Sequence, residues 1–276
     1  MKTILVLNDG SHCAVNASKF AFFIAQKMQA NVLLANLFKI RKKANQQIVA
    51  GGPDNHLLEL TKDDLGEYLE TLNNRPNDFQ PEIKEIDTSA MNETQLIEII
   101  NKEDIWMVVK SIPNVLPLSQ LKGNLNLNTV LNKIECPLML IPQNWSLKNI
   151  ERLVYITDLR YCRLPIVRYL AELAKPCHAD LSIAHISANG MPDMDEAYAD
   201  CIFNEGICTN VNYDQLLFNN IREKDLTKAV DVLINCMHND ILVMVKNCFH
   251  INEIVGKHIY SALPYHITVP LLVFPY

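Results

Sequence analysis

The sequence predicts an α/β protein of two tandem doubly wound domains, each a parallel sheet with helices on both faces. Three observations carry the prediction. Short β-prone apolar runs alternate with amphipathic helical stretches along the whole chain. The alternation restarts after residue 150, which marks an internal repeat. Matching segments also recur: Asp104-Ile105-Trp106-Met107-Val108-Val109-Lys110 against Asp240-Ile241-Leu242-Val243-Met244-Val245-Lys246, and Cys136-Pro137-Leu138-Met139-Leu140-Ile141-Pro142 against Val269-Pro270-Leu271-Leu272-Val273-Phe274-Pro275.

In the first half, Thr3 to Leu7 is a continuous apolar run closed by Asn8-Asp9-Gly10, the pattern of a strand buried on both faces. Over Ala14 to Gln29 the residues Ala17, Phe20, Ala21, Ile24, Ala25 and Met28 recur at helical spacing, with Ser11 as the expected N-cap. Asn31 to Phe38 reads as the second strand, Lys39 to Asn55 as a polar connection, and His56 to Leu72 as a helix. Glu82 to Asp87 is a third strand, Glu93 to Lys102 a short helix and Ile105 to Val109 a fourth strand. Leu125 to Lys133 is a further helix, and Leu138 to Ile141 a fifth strand stopped by Pro142.

The second half repeats the plan. Arg152 to Ile156 is a strand ending in Thr157-Asp158, and Pro165 to Lys175 is the helix after it. Asp180 to Ile186, Asn212 to Phe218 and Ile241 to Val245 follow as strands, with Leu226 to Cys236 as the helix before the last of them. Val255 to Leu263 and Leu271 to Phe274 complete the cycle. The domains are expected to span 1–143 and 148–276, joined near Gln143 to Lys148.

Composition excludes several classes. With 49% apolar and 20% charged residues the chain can bury cores of its own. A formal charge of -6 gives no basic field for a phosphate backbone, so nucleic acid is not an expected partner. The first apolar run is too short for a signal core, and no run approaches the ~18–20 apolar residues of a membrane span. Eight cysteines without a C-x-x-C pair fit a reducing compartment, so the expectation is a cytoplasmic protein with no membrane association.

Each half resembles a universal stress protein domain. The resemblance rests on the strand ending in Asp before a turn into helix (Asn8-Asp9-Gly10-Ser11), the Asp-apolar strand at Asp104 or Asp240, and the closing Cys-Pro-apolar-Pro strand. It covers nearly the whole chain twice, and His185 at the end of the second strand fits it, with Asn36 in that place in the first half. It implies a five-stranded parallel sheet of order 3-2-1-4-5 in each half. It also implies pairing through the last strands, so that a tandem chain forms an intramolecular pseudo-dimer, and it leaves a further homodimer open.

In open parallel sheets the ligand crevice lies at the carboxyl ends of the strands where their order reverses, here between the first and fourth strands of each half. The candidate ligand-binding residues there are Asp9, Lys110, Ser111, Gly123 and Asn124 in the first half, and Asp158, Lys246 and Asn247 in the second. Nucleotide-binding relatives carry a Gly-x-x-Gly, nine further residues, then Gly-Ser or Gly-Thr. Glycine serves there because bare backbone brings amides close to phosphate oxygens. Here Val109 and Ile112 stand at the leading glycine positions, Val245 and Cys248 in the second half, and Gly123-Asn124 and Gly256-Lys257 are out of register. Pro113 and Pro117 remove two more amide donors.

In such relatives an aspartate at Asp9 or Asp158 contacts the adenosine part. The simplest physical role of each is to hold turn amides. A second role is to pair with Lys110 or Lys246 across the crevice, filling it. The expectation is a tandem stress-response binding or interaction protein with a degenerate nucleotide-binding site, no cofactor and no metal. The alternatives are an adenine nucleotide sensor holding ATP or AMP, and a slow nucleotide hydrolase. No Ser-His-Asp order or nucleophile elbow argues for catalysis.

Cys13 and Cys162 each fall four residues after the strand-ending Asp, where a helix N-terminus lowers a thiol pKa and a neighbouring carboxylate raises it. Cys236-x-His238 and Cys248-x-His250 flank one strand and do not imply a zinc site. Lys39, Arg41, Lys42 and Lys43 read as a solvated basic loop.

Overall fold

A buried parallel strand needs apolar residues on both faces, and the first strand of each half meets that demand: Ile4 to Leu7 and Leu153 to Tyr155 are fully buried. The computed structural model describes residues 1–38, 65–72, 79–113, 126–188, 190–248, 250–256 and 263–275. The chain separates into two compact units, Met1–Ser111 and Ile112–Tyr276.

The first unit holds β1 (Thr3–Asn8), α1 (Ala14–Met28), β2 (Asn31–Asn36), α2 (Leu65–Leu72), β3 (Ile83–Asp87), α3 (Glu93–Lys102) and β4 (Ile105–Ile112), whose last residue falls just beyond the division. The strands are parallel in the order β3-β2-β1-β4. Helix α1 buries the stripe Ala17, Phe20, Ala21, Ile24 and Ala25, and ends where Gln29 turns left-handed with its N–H on the Ala25 carbonyl. Ser11 is not its N-cap. The helix begins at Ala14, the Ser11 carbonyl accepts the Ala14 N–H, and Cys13 occupies the cap position without a side-chain hydrogen bond. Helix α3 starts on a reciprocal box between Asn92 and Gln95, each side chain accepting from the other's N–H at 3.0 Å.

The second unit holds α4 (Leu127–Leu131), β5 (Leu138–Pro142), β6 (Arg152–Thr157), a 3₁₀ turn at Leu159–Tyr161, α5 (Leu164–Ala174), β7 (Asp180–His185), α6 (Glu196–Cys201), β8 (Leu216–Asn220), α7 (Leu226–Asp231), β9 (Ile241–Val245), α8 (Ile251–Ile254) and β10 (Leu271–Phe274). Its strands lie in the order β5-β10-β9-β6-β7-β8. All neighbours are parallel except β5 and β10, where Leu271 faces Leu140 and Val273 faces Leu138 in an antiparallel ladder. Within the repeat, β8-β7-β6-β9-β10 is the order 3-2-1-4-5.

Three local expectations change. The strand expected over Asn212 to Phe218 begins instead at Leu216 and runs to Asn220. Tyr213 hydrogen-bonds the Ala179 carbonyl and so ties down the approach, while Asn219 Nδ2 reaches Ser182 Oγ at 3.2 Å and extends the ladder. The helix over Leu226 to Cys236 is α7 followed by a π-helical turn at Val232–Cys236, closed by the Met237 N–H on the Val232 carbonyl. Helix α6, which the apolar pattern did not indicate, starts where the Asp195 carboxylate accepts the Ala197 and Tyr198 N–H groups. Residues 56–64 of the expected second helix, the basic loop at Lys39 to Lys43, Gly123, Asn124 and residues 257–262 lie outside the described residues.

Candidate ligand cleft

The strand order of the first unit reverses between β1 and β4, and the residues at that reversal meet. Asp9 follows β1 directly; its Oδ1 accepts the Ser11 N–H at 3.0 Å and its Oδ2 accepts Lys110 Nζ from β4 at 2.7 Å. Asp9 is partly open to solvent while the Lys110 side chain is largely covered. Burial pushes the Asp9 carboxyl up, yet the Lys110 charge and the Ser11 amide outweigh it, so the acid is held below its ordinary value. Ser111 is buried. Val109 and Ile112 lie inside β4 as core residues.

Beneath this ion pair runs a chain of carboxamides. The Asn8 and Asn36 side chains, opposite one another in the β1–β2 register, are joined by Asn8 Nδ2 donating to Asn36 Oδ1 at 2.7 Å. Asn8 Oδ1 accepts the Gly10 N–H at 3.0 Å, and Asn36 Nδ2 donates to Glu85 of β3 at 2.9 Å. Both asparagines are buried. The turn after β1 is thus held from β3 through β2, and Gly10 accommodates it with φ of 70°.

The second unit holds the same turn by different means. His185 stands opposite Thr157 in the β6–β7 register, and its Nδ1 accepts the Leu159 N–H directly at 3.2 Å. That acceptor role requires a bare Nδ1, and burial pushes the imidazole pKa down, so His185 is neutral at physiological pH. Asp158 is enclosed. Its Oδ1 accepts Arg160 N and Nε at 3.0 and 2.9 Å, and its Oδ2 accepts the Ala188 N–H at 2.8 Å. Burial raises this acid, but those bonds outweigh it and hold the pKa below the usual value.

The pairing of Asp158 with Lys246 expected from the repeat is absent. Arg160, two residues along the turn, already saturates one carboxylate oxygen, and Lys246 instead donates to Asn132 Oδ1. Asn247 is exposed beside it. Beyond β9, His250 Nε2 faces the Ile186 carbonyl at 3.3 Å, so that this loop reaches the segment after β7. Cys236 and His238 lie before β9 and Cys248 and His250 after it. Among the described residues no group of three or more His, Cys, Asp or Glu could hold a metal ion.

No family model matches the sequence, and no curated protein matches it. Solved structures do. A universal stress protein from Archaeoglobus fulgidus DSM 4304 superposes with a TM-score of 0.57 at 13% identity, covering 99% of this chain and 97% of that one. A candidate universal stress protein from Pseudomonas aeruginosa UCBPP-PA14 gives 0.55 at 14% identity, over 99% and 93%.

The fold is that of the universal stress proteins.

Within that universal stress protein fold, the turn after the first strand carries a cysteine in each half, and neither thiol is activated. Burial and then the Asp9 charge push Cys13 up, and burial pushes Cys162 up to about 12. Both are expected to alkylate with iodoacetamide at neutral pH more slowly than free cysteine, because less thiolate is present. Faster labelling of either, read by mass spectrometry of the corresponding peptides, would contradict the environment described. Sequence reasoning placed Asn8 and Asn36 at strand ends without giving them a bond to each other, and it passed over Arg160. For Arg160 a signal existed, an arginine two residues after the strand-ending aspartate, where its own turn returns it to the carboxylate. No helix among the described residues is long and apolar enough to cross a membrane.

Proposed function

We propose that the chain is a tandem universal stress protein, with repeats over 1–143 and 148–276, that serves in the cytoplasm as a stress-response binding or interaction protein without chemistry of its own. The observation that carries this reading is the Lys110–Asp9 contact of 2.7 Å. It fills the first cleft with the protein's own charges at the place where an adenosine and its phosphates would have to be received. The buried Val109 and Ile112 support the same conclusion, since a polyphosphate needs several backbone amides and finds branched side chains. In the second cleft, Arg160 and the Ala188 amide already occupy the Asp158 oxygens. The antiparallel β5–β10 ladder supports an internal pseudo-dimer of repeats joined through their last strands.

The test is native mass spectrometry of freshly purified protein followed by titration calorimetry with ATP. The expected result is a mass equal to the polypeptide alone and no heat at micromolar nucleotide. A second reading, an adenine nucleotide sensor, draws on the partial exposure of Asp9 beside a lysine able to turn toward a phosphate. Stoichiometric retention of ATP or AMP that is lost on Asp9→Asn would establish that reading in place of the first. A hydrolase would further require metal-dependent turnover that fails in the same variant.

A further inference from the structure

In the second unit a concavity lies at the strand ends opposite the Asp158 turn. Because β5 runs antiparallel to β10, its carboxyl end emerges beside the amino end of β10, and the segment from Asn144 to Lys148 passes there. With residues before β9 and β10 this segment bounds a groove of about 460 Å³, within the range of roughly 300–1,000 Å³ typical of small-molecule pockets. Trp145 forms part of the wall and is itself 6% exposed.

The polar lining is neutral in kind. Asn144, Asn235, Asn239, Ser146 and Thr268 line this space, together with His238. The ammonium at its edge is compensated, since Lys148 Nζ sits 2.6 Å from the buried Asp240 carboxylate, which also accepts the Glu151 and Arg152 N–H groups at 2.8 and 3.0 Å. The backbone here is also unusual: the π-helical turn presents Ile234 and Asn235, and His238 follows in a left-handed conformation with φ of 54°. Asn235 Nδ2 is engaged by Asp231 at 2.7 Å and Asn239 Nδ2 by the Leu233 carbonyl at 2.7 Å. These bonds fix both side chains through their amide nitrogens.

We propose that this groove is a binding site for a neutral polyhydroxylated molecule of mono- or disaccharide size. Carboxamides and hydroxyls both donate and accept, as do vicinal sugar hydroxyls. Lys148, the one lysine or arginine of the lining, is already paired, which disfavours a phosphate or carboxylate ligand.

Saturation-transfer NMR on the full chain tests the site, with methyl α-glucoside and sucrose as probes and glucose 6-phosphate as the charged comparator. Saturation is expected to reach both neutral sugars at millimolar concentration. Asn235→Leu and Thr268→Val should each weaken binding about fivefold to tenfold, the loss of about one hydrogen bond. Arg222→Gln, at an exposed residue of the second unit that does not line the groove, should leave it unchanged. Retained amide spectra keep a folding defect from imitating the result. No transfer to either neutral sugar, transfer equal in the groove variants, or tighter binding of glucose 6-phosphate would each overturn the assignment. A nucleotide found in the ion-paired cleft would bear on the proposed function and leave this site untouched.

Discussion

Asp158→Ala is expected to cost about 3 kcal/mol of stability, because it strips three hydrogen-bond donors of their acceptor inside an enclosed turn. The carboxylate is 1% exposed and Arg160 only 20%. The Ala188 N–H, the Arg160 N–H and the Arg160 Nε–H would all lose their shared partner. Arg160 can swing partly toward water, which keeps the cost below the upper end of the buried-pair range; the Ala188 amide, buried, cannot.

Asp9→Ala makes the internal comparison. Its side chain is 35% exposed, and the Lys110 and Ser11 donors it would leave can be solvated, so less than about 1 kcal/mol is expected. The pH dependence has one sign for both residues. Each acid has a folded pKa below the ordinary value of an aspartate. The stability each contributes is therefore present above that value and is lost as pH falls through the lower folded pKa. The difference between Asp158→Ala and the parent should shrink accordingly below about pH 4. Urea unfolding measures this, with Asp158→Ala read by Trp145 on a Trp106→Phe background and Asp9→Ala read by Trp106 on a Trp145→Phe background, so that each tryptophan reports from the unit that carries the change. Equal midpoint shifts for the two aspartate variants would refute the asymmetry.

Asn36→Leu is the second large expectation, about 2–3 kcal/mol in the first unit, at nearly unchanged side-chain volume. Leucine satisfies the packing but leaves Asn8 Nδ2 without its acceptor at a buried position and Glu85 without its donor. Freed of its partner, Asn8 can no longer hold its oxygen on the Gly10 N–H. Amide exchange at Gly10 should therefore accelerate well beyond what the global loss of stability explains, while exchange at Leu159 stays at the parent value because His185 holds that amide independently. Unchanged protection at Gly10 would show that the carboxamide chain does not hold the turn.

What was readable in advance followed from periodicity. Continuous apolar runs marked β1, β4, β6 and β9, and the 3.6-residue stripe from Ala17 to Ala25 marked α1, because burial on a known face leaves a repeating trace. The Asp9–Lys110 contact was accessible too, since it needs only adjacent strands and two residues at their carboxyl ends. Transferring that contact to Asp158 and Lys246 by repeat symmetry failed because a nearer donor, Arg160, competes locally, and because Asn132, more than a hundred positions from Lys246, offers an acceptor that no local pattern announces. The Asn8–Asn36 link depends on strand register, which a one-residue slip would abolish, and register is a property of the assembled sheet. The same applies to β8, whose start is set by where Tyr213 finds a carbonyl.

The ladder between β5 and β10 bears on any dissection of the chain. A fragment beginning at Lys148 would contain a complete 3-2-1-4-5 sheet, yet it would present β10 with one flank of peptide groups stripped of their partners and Leu271 to Val273 lining an open border. Such a border templates further strands, so the shortened polypeptide would self-associate where the intact one is sealed by Leu138 to Leu140. The strand β5, which precedes the boundary expected at Gln143 to Lys148, thus belongs with the second compact unit and covers the flank of its final strand.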